Sequence, residues 1–381
     1  MTPRRLLAVG QALNASGYGR VMESLLPRLC GALDVVLFAP GRHGPAQRRD
    51  GVEIRGSTIA GDPFGRVGLP PLLAELDPDV VLVQADAALF PMYADVLGPY
   101  AGVTVAYCPV DWPEVPPSIA DALNAFDSVV AYTEFGRDAL ARAGVRASDV
   151  IPHGVDTTRF APAGERAGDR FVVLNANRNL HRKRIDLTIE GFALFARNRP
   201  RARLHLHMGP QDQGCDVRAL VAQLGIEDRV ALTPSNGRRP HVTDEELAAI
   251  YNAAHVGINT CAAEGFGLVA FEHAATGAPQ IVPDHSACGE LWRDHGLLLP
   301  ADPAPRDVAA ALARLHDDPA LGADLGRRAL DHARDPRFSW DAIAARWAAL
   351  LEAHWTDVGV RLTPADLAVR PRSGLGSAER R

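Results

Sequence analysis

Short runs of apolar residues alternate with amphipathic segments along the whole chain. In the first half, five runs rich in Val, Leu and Ala are too short for helices, at 6–9, 35–38, 79–83, 103–107 and 128–132. Between them, apolar residues recur at helical spacing, as in 21–26. Continuous apolar strands separated by helices are typical of a parallel sheet that is buried on both faces.

The pattern breaks once and then restarts. Residues 156–169 are polar and contain Pro and Gly, and five further apolar runs follow, at 171–174, 202–206, 230–232, 256–258 and 280–282. We therefore predict an α/β protein with two Rossmann-like domains facing a cleft, where ligands bind at the carboxyl ends of the strands. The predicted segments are a first domain at 1–156, a linker at 157–169, a second domain at 170–337, a helix at 338–355 and a partly disordered tail at 356–381.

Composition narrows the class of protein. Hydrophobic residues make up 47% and charged residues 23% of 381, which is typical of a globular chain. The net charge of -6 argues against a general nucleic-acid surface, so no nucleic acid is expected as a partner. A loose basic cluster leaves a weak membrane-surface contact open; its members are Arg42, His43, Arg48, Arg49 and Arg55.

Cysteine usage and the amino terminus bear on the cellular compartment. The five cysteines form no C-x-x-C pair, so neither a disulfide framework nor a zinc site is indicated. The first apolar run ends at Gln11, too short for a signal sequence, and no run reaches the ~18 residues of a membrane-spanning helix. We expect a cytoplasmic protein, at most peripheral at the inner membrane face.

One lysine stands out in a chain that otherwise uses arginine. Of 40 Lys and Arg residues, the only lysine is Lys183, within the stretch NRNLHRKRID at 177–186. Arg178 precedes it by five residues, just after the apolar run 171–174. A compact ammonium beside a forked guanidinium suits a small anionic group such as a phosphate. The competing interpretation is a solvated basic start of a helix.

A second notable stretch is CAAEGFGLVAFEHAATGAP at 261–279. Glu264 precedes the run GFGL, which opens a predicted helix at 268–276, and Glu272 follows two turns later. Glycines at a helix entry let the backbone approach a ligand, and free N–H groups there suit an anion. The competing interpretation is two ordinary helix carboxylates, the first in a favourable first-turn position.

The two stretches together resemble a known family. E-x7-E with an internal GFGL, followed by A-x-x-G-x-P, is similar to the retaining GT-B glycosyltransferases of the family-4, group-1 type, such as sucrose synthase and glycogen synthase. The family also places Arg, four residues and then Lys after the first strand of its second domain, as Arg178 and Lys183 do. The resemblance implies a GT-B fold whose last helix crosses back to the first domain. Only the first fifty residues and the tail match poorly.

The resemblance implies roles for the matching residues. Glu264 would contact the hydroxyls of the transferred sugar, Glu272 would hold the nucleotide ribose, and Arg178 with Lys183 would neutralise the leaving diphosphate, with no metal or other cofactor required. Asp111 stands near the position where many relatives carry a His; we expect it to line the acceptor side, although it could equally cap a Pro-rich turn. The expected donor-binding residues are Glu272, Gly265, Phe266, Gly267, Leu268, Asn177, Asn236 and Ser286.

A glycine loop near the amino terminus departs from the family pattern. It reads Ser16-Gly17-Tyr18-Gly19-Arg20, and we expect Gly17, Tyr18 and Gly19 to face a phosphate or the acceptor. A lone G-x-G is a weak signal, because Met22 stands where a dinucleotide fingerprint has its third glycine. The D-x-D sequence at 77–79 precedes a buried strand and is assigned to structure rather than to a metal site.

The leading hypothesis is a metal-independent retaining glycosyltransferase that uses a nucleoside diphosphate sugar, UDP- or GDP-linked. The resemblance implies departure and attack on the same face of the sugar. The acceptor stays open among glycan, lipid-linked glycan and natural product. The alternatives are a dinucleotide-dependent oxidoreductase, against which the absent G-x-G-x-x-G argues, and a non-catalytic sugar-nucleotide-binding protein.

Overall fold

The computed structural model describes residues 4–13, 16–146, 148–164, 169–235, 240 and 242–357. The first of its two sheets has eight strands, which are β1 Arg4–Val9, β2 Leu33–Ala39, β3 Gln47–Arg49, β4 Val52–Gly56, β5 Val80–Gln84, β6 Val103–Cys108, β7 Ser128–Ala131 and β8 Ser148–Val150. Their order across the sheet is β3-β4-β2-β1-β5-β6-β7-β8. All neighbouring pairs are parallel except β3 with β4.

The second sheet is parallel throughout its six strands. These are β9 Phe171–Asn175, β10 Ala202–Leu206, β11 Val230–Leu232, β12 Val256–Ile258, β13 Gln280–Pro283 and β14 Leu297–Leu299. Their order is β11-β10-β9-β12-β13-β14, so the chain starts in the middle of the sheet and reverses direction beside β9. That reversal point is where open parallel sheets bind ligands.

Thirteen α-helices lie in the part of the chain that the structure describes. Five follow strands of the first sheet: α1 Gly17–Leu29, α2 Leu69–Leu76, α3 Phe90–Leu97, α4 Pro117–Leu123 and α5 Glu134–Arg142. The others are α6 Ile185–Ala196, α7 Val217–Gln223, α8 Asp244–Ala253, α9 Leu268–Ala274, α10 Ser286–Trp292, α11 Pro305–Asp317, α12 Pro319–Ala333 and α13 Trp340–Asp357. None of these helices combines the length and the apolar character that crossing a bilayer requires.

Successive side chains of β1 point to opposite faces of the first sheet, and their packing shows that both faces are covered. Leu6 and Ala8 pack into one apolar cluster with α1 and α13, while Leu7 and Val9 pack into a second cluster with α2 and α3. All four side chains are fully buried. A strand that is buried on both faces reads as a continuous apolar run, which is why the sequence predicted it.

The α/β prediction is confirmed, and the ten predicted strands are all present. Four short strands were missed: β3, β4, β8 and β14. β3 reads QRR and is exposed at the sheet edge, so it carries no apolar signal. The Asp50-Gly51 dipeptide between β3 and β4, with both residues at positive φ, is the hairpin signal that was available. The first two residues of the predicted tail at 356–381 belong to α13, and residues 358–381 lie outside the described part of the chain.

The last helix lies against the first half of the chain. α13 packs on α1, and Arg28 Nε on α1 is 2.7 Å from Asp341 Oδ1 on α13. Ser339 caps α13, since its Oγ accepts a hydrogen bond from Ala342 N at 3.1 Å. A Cβ on Gly154 would lie 2.5 Å from Trp340, so only glycine fits where the segment after β8 passes α13. These contacts hold the two halves on either side of one cleft.

Candidate active site

A cavity of about 1110 Å³ lies between the carboxyl ends of the two sheets. Its walls come from segments that directly follow strands, which in parallel sheets end at the same edge. The first half contributes residues after β1 and β6, and the second half contributes residues after β9, β10 and β12. The volume suits a ligand the size of a nucleoside diphosphate sugar.

Lys183 and Glu264 form a buried ion pair in this cavity. The Lys183 ammonium contacts Glu264 Oε2 and donates to Asn177 Oδ1 at 3.0 Å. Asn259 Nδ2 donates to the same Glu264 oxygen at 3.2 Å. A short 3-10 turn, His181–Lys183, aims the lysine inwards and ends at Arg184, whose φ is 46°. Burial by itself would raise the pKa of Glu264, but Lys183 and Arg182 outweigh it and hold that pKa below its usual range.

Arg182 joins the two halves across the cleft. Its Nε lies 3.3 Å from Asp111 Oδ2, and its Nη1 lies 3.6 Å from Glu264 Oε1 and donates to the Ala263 carbonyl at 2.9 Å. Burial raises the pKa of Asp111, Glu264 adds to the rise, and Arg182 opposes it. Arg182 thus bridges Asp111 of the first half and Glu264 of the second half, and all three side chains line the cavity.

Arg178 is held in a fixed orientation by a second carboxylate. Its Nε and Nη2 lie 2.5 and 3.0 Å from the two oxygens of Asp212, whose side chain is fully buried. A guanidinium has five N–H donors in a fork, and this bidentate pairing leaves Nη1 available for a ligand. Arg178 lines the same cavity as Lys183.

Glu272 lies at another wall of the cavity, with its side chain buried. Its Oε2 accepts from the Tyr251 hydroxyl at 2.9 Å, and its Oε1 lies 2.8 Å from Arg20 Nε on α1. Arg20 Nη2 is also 2.8 Å from Asp244 Oδ1, at the start of α8. Burial raises the pKa of Glu272, while Arg20 and the Tyr251 hydrogen bond oppose that rise.

The glycine segments face each other across the cleft. A Cβ on Gly265 would lie 3.1 Å from Asp111 Oδ1, and one on Gly17 would lie 3.7 Å from Leu268. Gly267, at φ 89°, adopts a left-handed conformation just before α9. The two halves therefore approach each other closely at Gly17 and Gly265.

Two family models match this chain, one in each half. The model described as Glycosyltransferase Family 4 matches residues 15–159, and the model described as Glycosyl transferases group 1 matches residues 170–318. Together they account for well over half of the chain. The chain belongs to the family-4, group-1 glycosyltransferases.

Curated relatives in this glycosyltransferase family match over part of their length. Mannosylfructose-phosphate synthase of Agrobacterium fabrum is 32% identical over 251 residues, which covers 59% of this chain and 53% of that protein. D-inositol 3-phosphate glycosyltransferase of Streptomyces bingchenggensis is 34% identical over 248 residues, covering 59% of this chain and 52% of that protein. The matched stretch thus spans about half the length of the curated relatives.

Solved structures of glycosyltransferases match over nearly the whole length. Sucrose-phosphate synthase from Thermosynechococcus elongatus has a TM-score of 0.76 at 17% identity, with 93% of this chain and 100% of that chain covered. Anabaena HepE, solved in complex with UDP-glucose, has a TM-score of 0.74 at 18% identity, with 92% and 99% covered. At this identity the likeness shows the fold, which is GT-B.

Most of the site residues predicted from the sequence line the cavity between the two sheets. Those that do are Gly17, Tyr18, Asp111, Asn177, Arg178, Lys183, Glu264, Gly265, Phe266, Gly267, Leu268 and Glu272. Gly19 is buried inside α1, where its N–H donates to Ser16 Oγ. The Ser286 hydroxyl lies behind Glu264 and accepts from its backbone N–H at 3.2 Å. Asn236 is outside the described residues.

Sequence reasoning missed several cavity residues. Arg182 stood only within the basic stretch 177–186 and Arg20 only within the glycine loop, and no site role was predicted for Tyr251 or His153. Phe266 packs edge-on against His153, whose Nδ1 is 2.8 Å from the Tyr107 hydroxyl, and burial lowers the pKa of His153 to about 3.

The structure also locates the D-x-D sequence. Asp79 accepts from the backbone N–H of Arg5 at 2.8 Å, at the amino end of the first sheet, away from the cleft. Among the described residues, no group of three or more His, Cys, Asp and Glu side chains is placed to hold a metal ion.

Proposed function

We propose that this chain is a retaining glycosyltransferase that moves a sugar from a nucleoside diphosphate sugar to an acceptor hydroxyl without a metal ion. The observation that carries the proposal is the buried Lys183–Glu264 pair, in a cavity that Arg178 also lines. A cationic group in a site shielded from water stabilises a developing phosphate charge much more strongly than it would in water.

The residues divide the chemistry between them. When the bond from the sugar C1 to the diphosphate oxygen breaks, Lys183 and the free edge of Arg178 neutralise the leaving phosphate. Glu264, which Lys183 and Arg182 keep ionised, accepts hydrogen bonds from hydroxyls of the sugar. The acceptor oxygen bonds to C1 from the same face, beside Asp111, and its proton passes to the departing phosphate oxygen.

The relatives suggest which substrates to try. HepE was solved with UDP-glucose, which supports a uridine diphosphate sugar as the first donor, with GDP-sugars next. The two curated relatives are named for phosphorylated small molecules, so a phosphorylated polyol joins glycans, lipid-linked glycans and natural products as acceptor classes.

The test is thermal stabilisation by UDP-, GDP-, ADP- and dTDP-linked sugars. A ligand at a hundred times its Kd adds about 2.7 kcal/mol to the free energy of unfolding, which raises Tm by several degrees. We expect one nucleotide class to do so, and Arg178→Gln and Lys183→Ala to lose the shift. A well-folded protein that no nucleotide sugar stabilises, or that hydrolyses and transfers none, contradicts the proposal.

A further inference from the structure

Arg20 connects the first half of the chain to the carboxylate of Glu272 in the second half. The two residues are far apart in sequence, yet Arg20 Nε lies 2.8 Å from Glu272 Oε1. The second arm of the guanidinium is anchored by Asp244 at 2.8 Å, and its face lies over the Phe160 ring at 5.4 Å. Arg20 is therefore fixed from three sides, by α9, by α8 and by the segment after β8.

The bonding of Glu272 leaves a defined part of its carboxylate free. An ionised carboxylate offers about four acceptor positions, two on each oxygen. Tyr251 donates to one position on Oε2, whereas Arg20 forms an ion pair with Oε1, which accepts no hydrogen bond from the described residues. Each oxygen therefore keeps at least one acceptor position without a donor, on a side chain that lines the cavity. Two neighbouring acceptors match two neighbouring hydroxyl donors, which is the pattern of a ribose 2′,3′-diol.

We propose that Arg20 is a positioning residue for the nucleotide ribose, holding Glu272 ionised and oriented so that the ribose pocket is complete only when both halves of the chain meet. The inference rests on the proposed function, because it requires a nucleoside diphosphate in the cleft. The residue that it adds to that function is Arg20, which lies in the first half of the chain on α1, the helix that follows β1. Arg20 touches the carboxylate and acts on the ribose through it.

The experiment compares ribonucleotides with their 2′-deoxy counterparts. Calorimetry gives Kd for UDP, 2′-deoxy-UDP, GDP and 2′-deoxy-GDP with the full chain and with Arg20→Gln. A hydrogen bond to a charged group corresponds to about tenfold to a hundredfold in affinity, so the unaltered protein should prefer the ribonucleotide by that ratio. We expect Arg20→Gln to lower the ratio to near one, because Glu272 loses its orientation.

The pH dependence gives a second readout that a merely structural role would not produce. Burial and Asp244 raise the pKa of Glu272, whereas Arg20, Tyr251 and Arg159 oppose the rise. Without Arg20, Glu272 takes up its proton at a higher pH than before. Ribonucleotide affinity in Arg20→Gln should therefore begin to fall at a higher pH on acidification, and Arg20→Lys should restore part of the original profile.

Two further variants keep the test decisive. Arg28→Gln removes another arginine of α1 that pairs across the halves, with Asp341, and we expect it to leave the ratio unchanged. Asp244→Asn loosens Arg20 without touching Glu272, and should lower the ratio partway even if Arg20→Gln folds poorly.

The remaining outcomes distinguish a failure of the positioning role of Arg20 from a failure of the glycosyltransferase proposal. An unchanged ratio in Arg20→Gln, or tighter UDP binding because Arg20 competes with the ribose, overturns the positioning role. If the unaltered, folded protein binds none of the four nucleotides, the glycosyltransferase proposal itself fails.

Discussion

Lys183 and Glu264 illustrate how a single residue pair serves both chemistry and folding. Taking two charges out of water is costly, and their attraction offsets that cost only because Asn177 and Asn259 satisfy further bonding positions. Removing one partner leaves the other charge buried and unpaired. The loss of stability in variants of this pair therefore reports how strongly the cleft excludes water.

We expect Lys183→Met to lower the free energy of unfolding by about 3–5 kcal/mol, because it strands the Glu264 carboxylate in a buried site. The double variant Lys183→Met/Glu264→Gln removes both charges and should recover a large part of that loss. Urea denaturation at pH 7 gives the free energy of unfolding of the unaltered protein, the single variant and the double variant. If the single and the double variant lose the same free energy of unfolding, the unpaired Glu264 carboxylate costs no stability in the single variant.

At the scale of elements, α5 and α10 make a contact between the halves that resembles a helix cap. Glu290 of α10 accepts from the backbone N–H groups of Glu134 and Phe135, at 3.1 and 2.6 Å, at the first turn of α5. These N–H groups have no partner within their own helix, because the first turn of a helix leaves its donors free. Thr133 caps α5 locally by accepting from the Gly136 N–H at 3.1 Å, and the Glu290 carboxylate from the other half takes the two donors that this cap leaves.

Replacing this carboxylate should loosen the contact locally. A lost cap corresponds to about 1 kcal/mol, so Glu290→Ala should speed hydrogen exchange at the Glu134 and Phe135 amides roughly fivefold. Mass spectrometry of peptides from α5 measures the change. Glu352→Ala, at an exposed position on α13, is the matched control. Unchanged exchange in Glu290→Ala would show that the local cap by Thr133 is sufficient for the first turn of α5.

Sequence patterns predicted the elements that are buried on two faces and missed those that are not. Strands such as β1 and β9 are continuous apolar runs, whereas β3 is polar throughout because it lies exposed at an edge. Within the site, the motifs singled out Lys183 and Glu264, which the structure places in contact with each other. Arg182, Arg20 and Asp212 could not be predicted, because their partners lie on elements that only the tertiary fold brings close.

For the whole molecule, the passage of α13 beside the segment after β8 decides how the halves meet. Trp340 stands over Gly154, and Trp347 packs against Tyr107 with ring centroids 4.9 Å apart. Both tryptophans are buried, so one rigid apolar contact joins the last helix to the first sheet. Side chains added at this crossing have no space to occupy.

Gly154→Ala should therefore displace Trp340 and cost about 1–3 kcal/mol of stability, as overpacking of a close contact does. The midpoint urea concentration of unfolding measures this change in stability. Gly31→Ala is the matched control, because a Cβ there would meet nothing within 4 Å. If both substitutions leave the midpoint unchanged, α13 does not rest on Gly154 in solution.

The solitary lysine has a consequence for labelling. Apart from the α-amino group of the chain, Lys183 is the one primary amine that an acylating reagent can find, and it stands inside the cleft with 8% of its surface exposed. Every other cation is a guanidinium, which such reagents leave alone. Because acylation also removes the charge that pairs with Glu264, its extent reports how readily the cleft opens, and a ligand that fills the cleft should lower it.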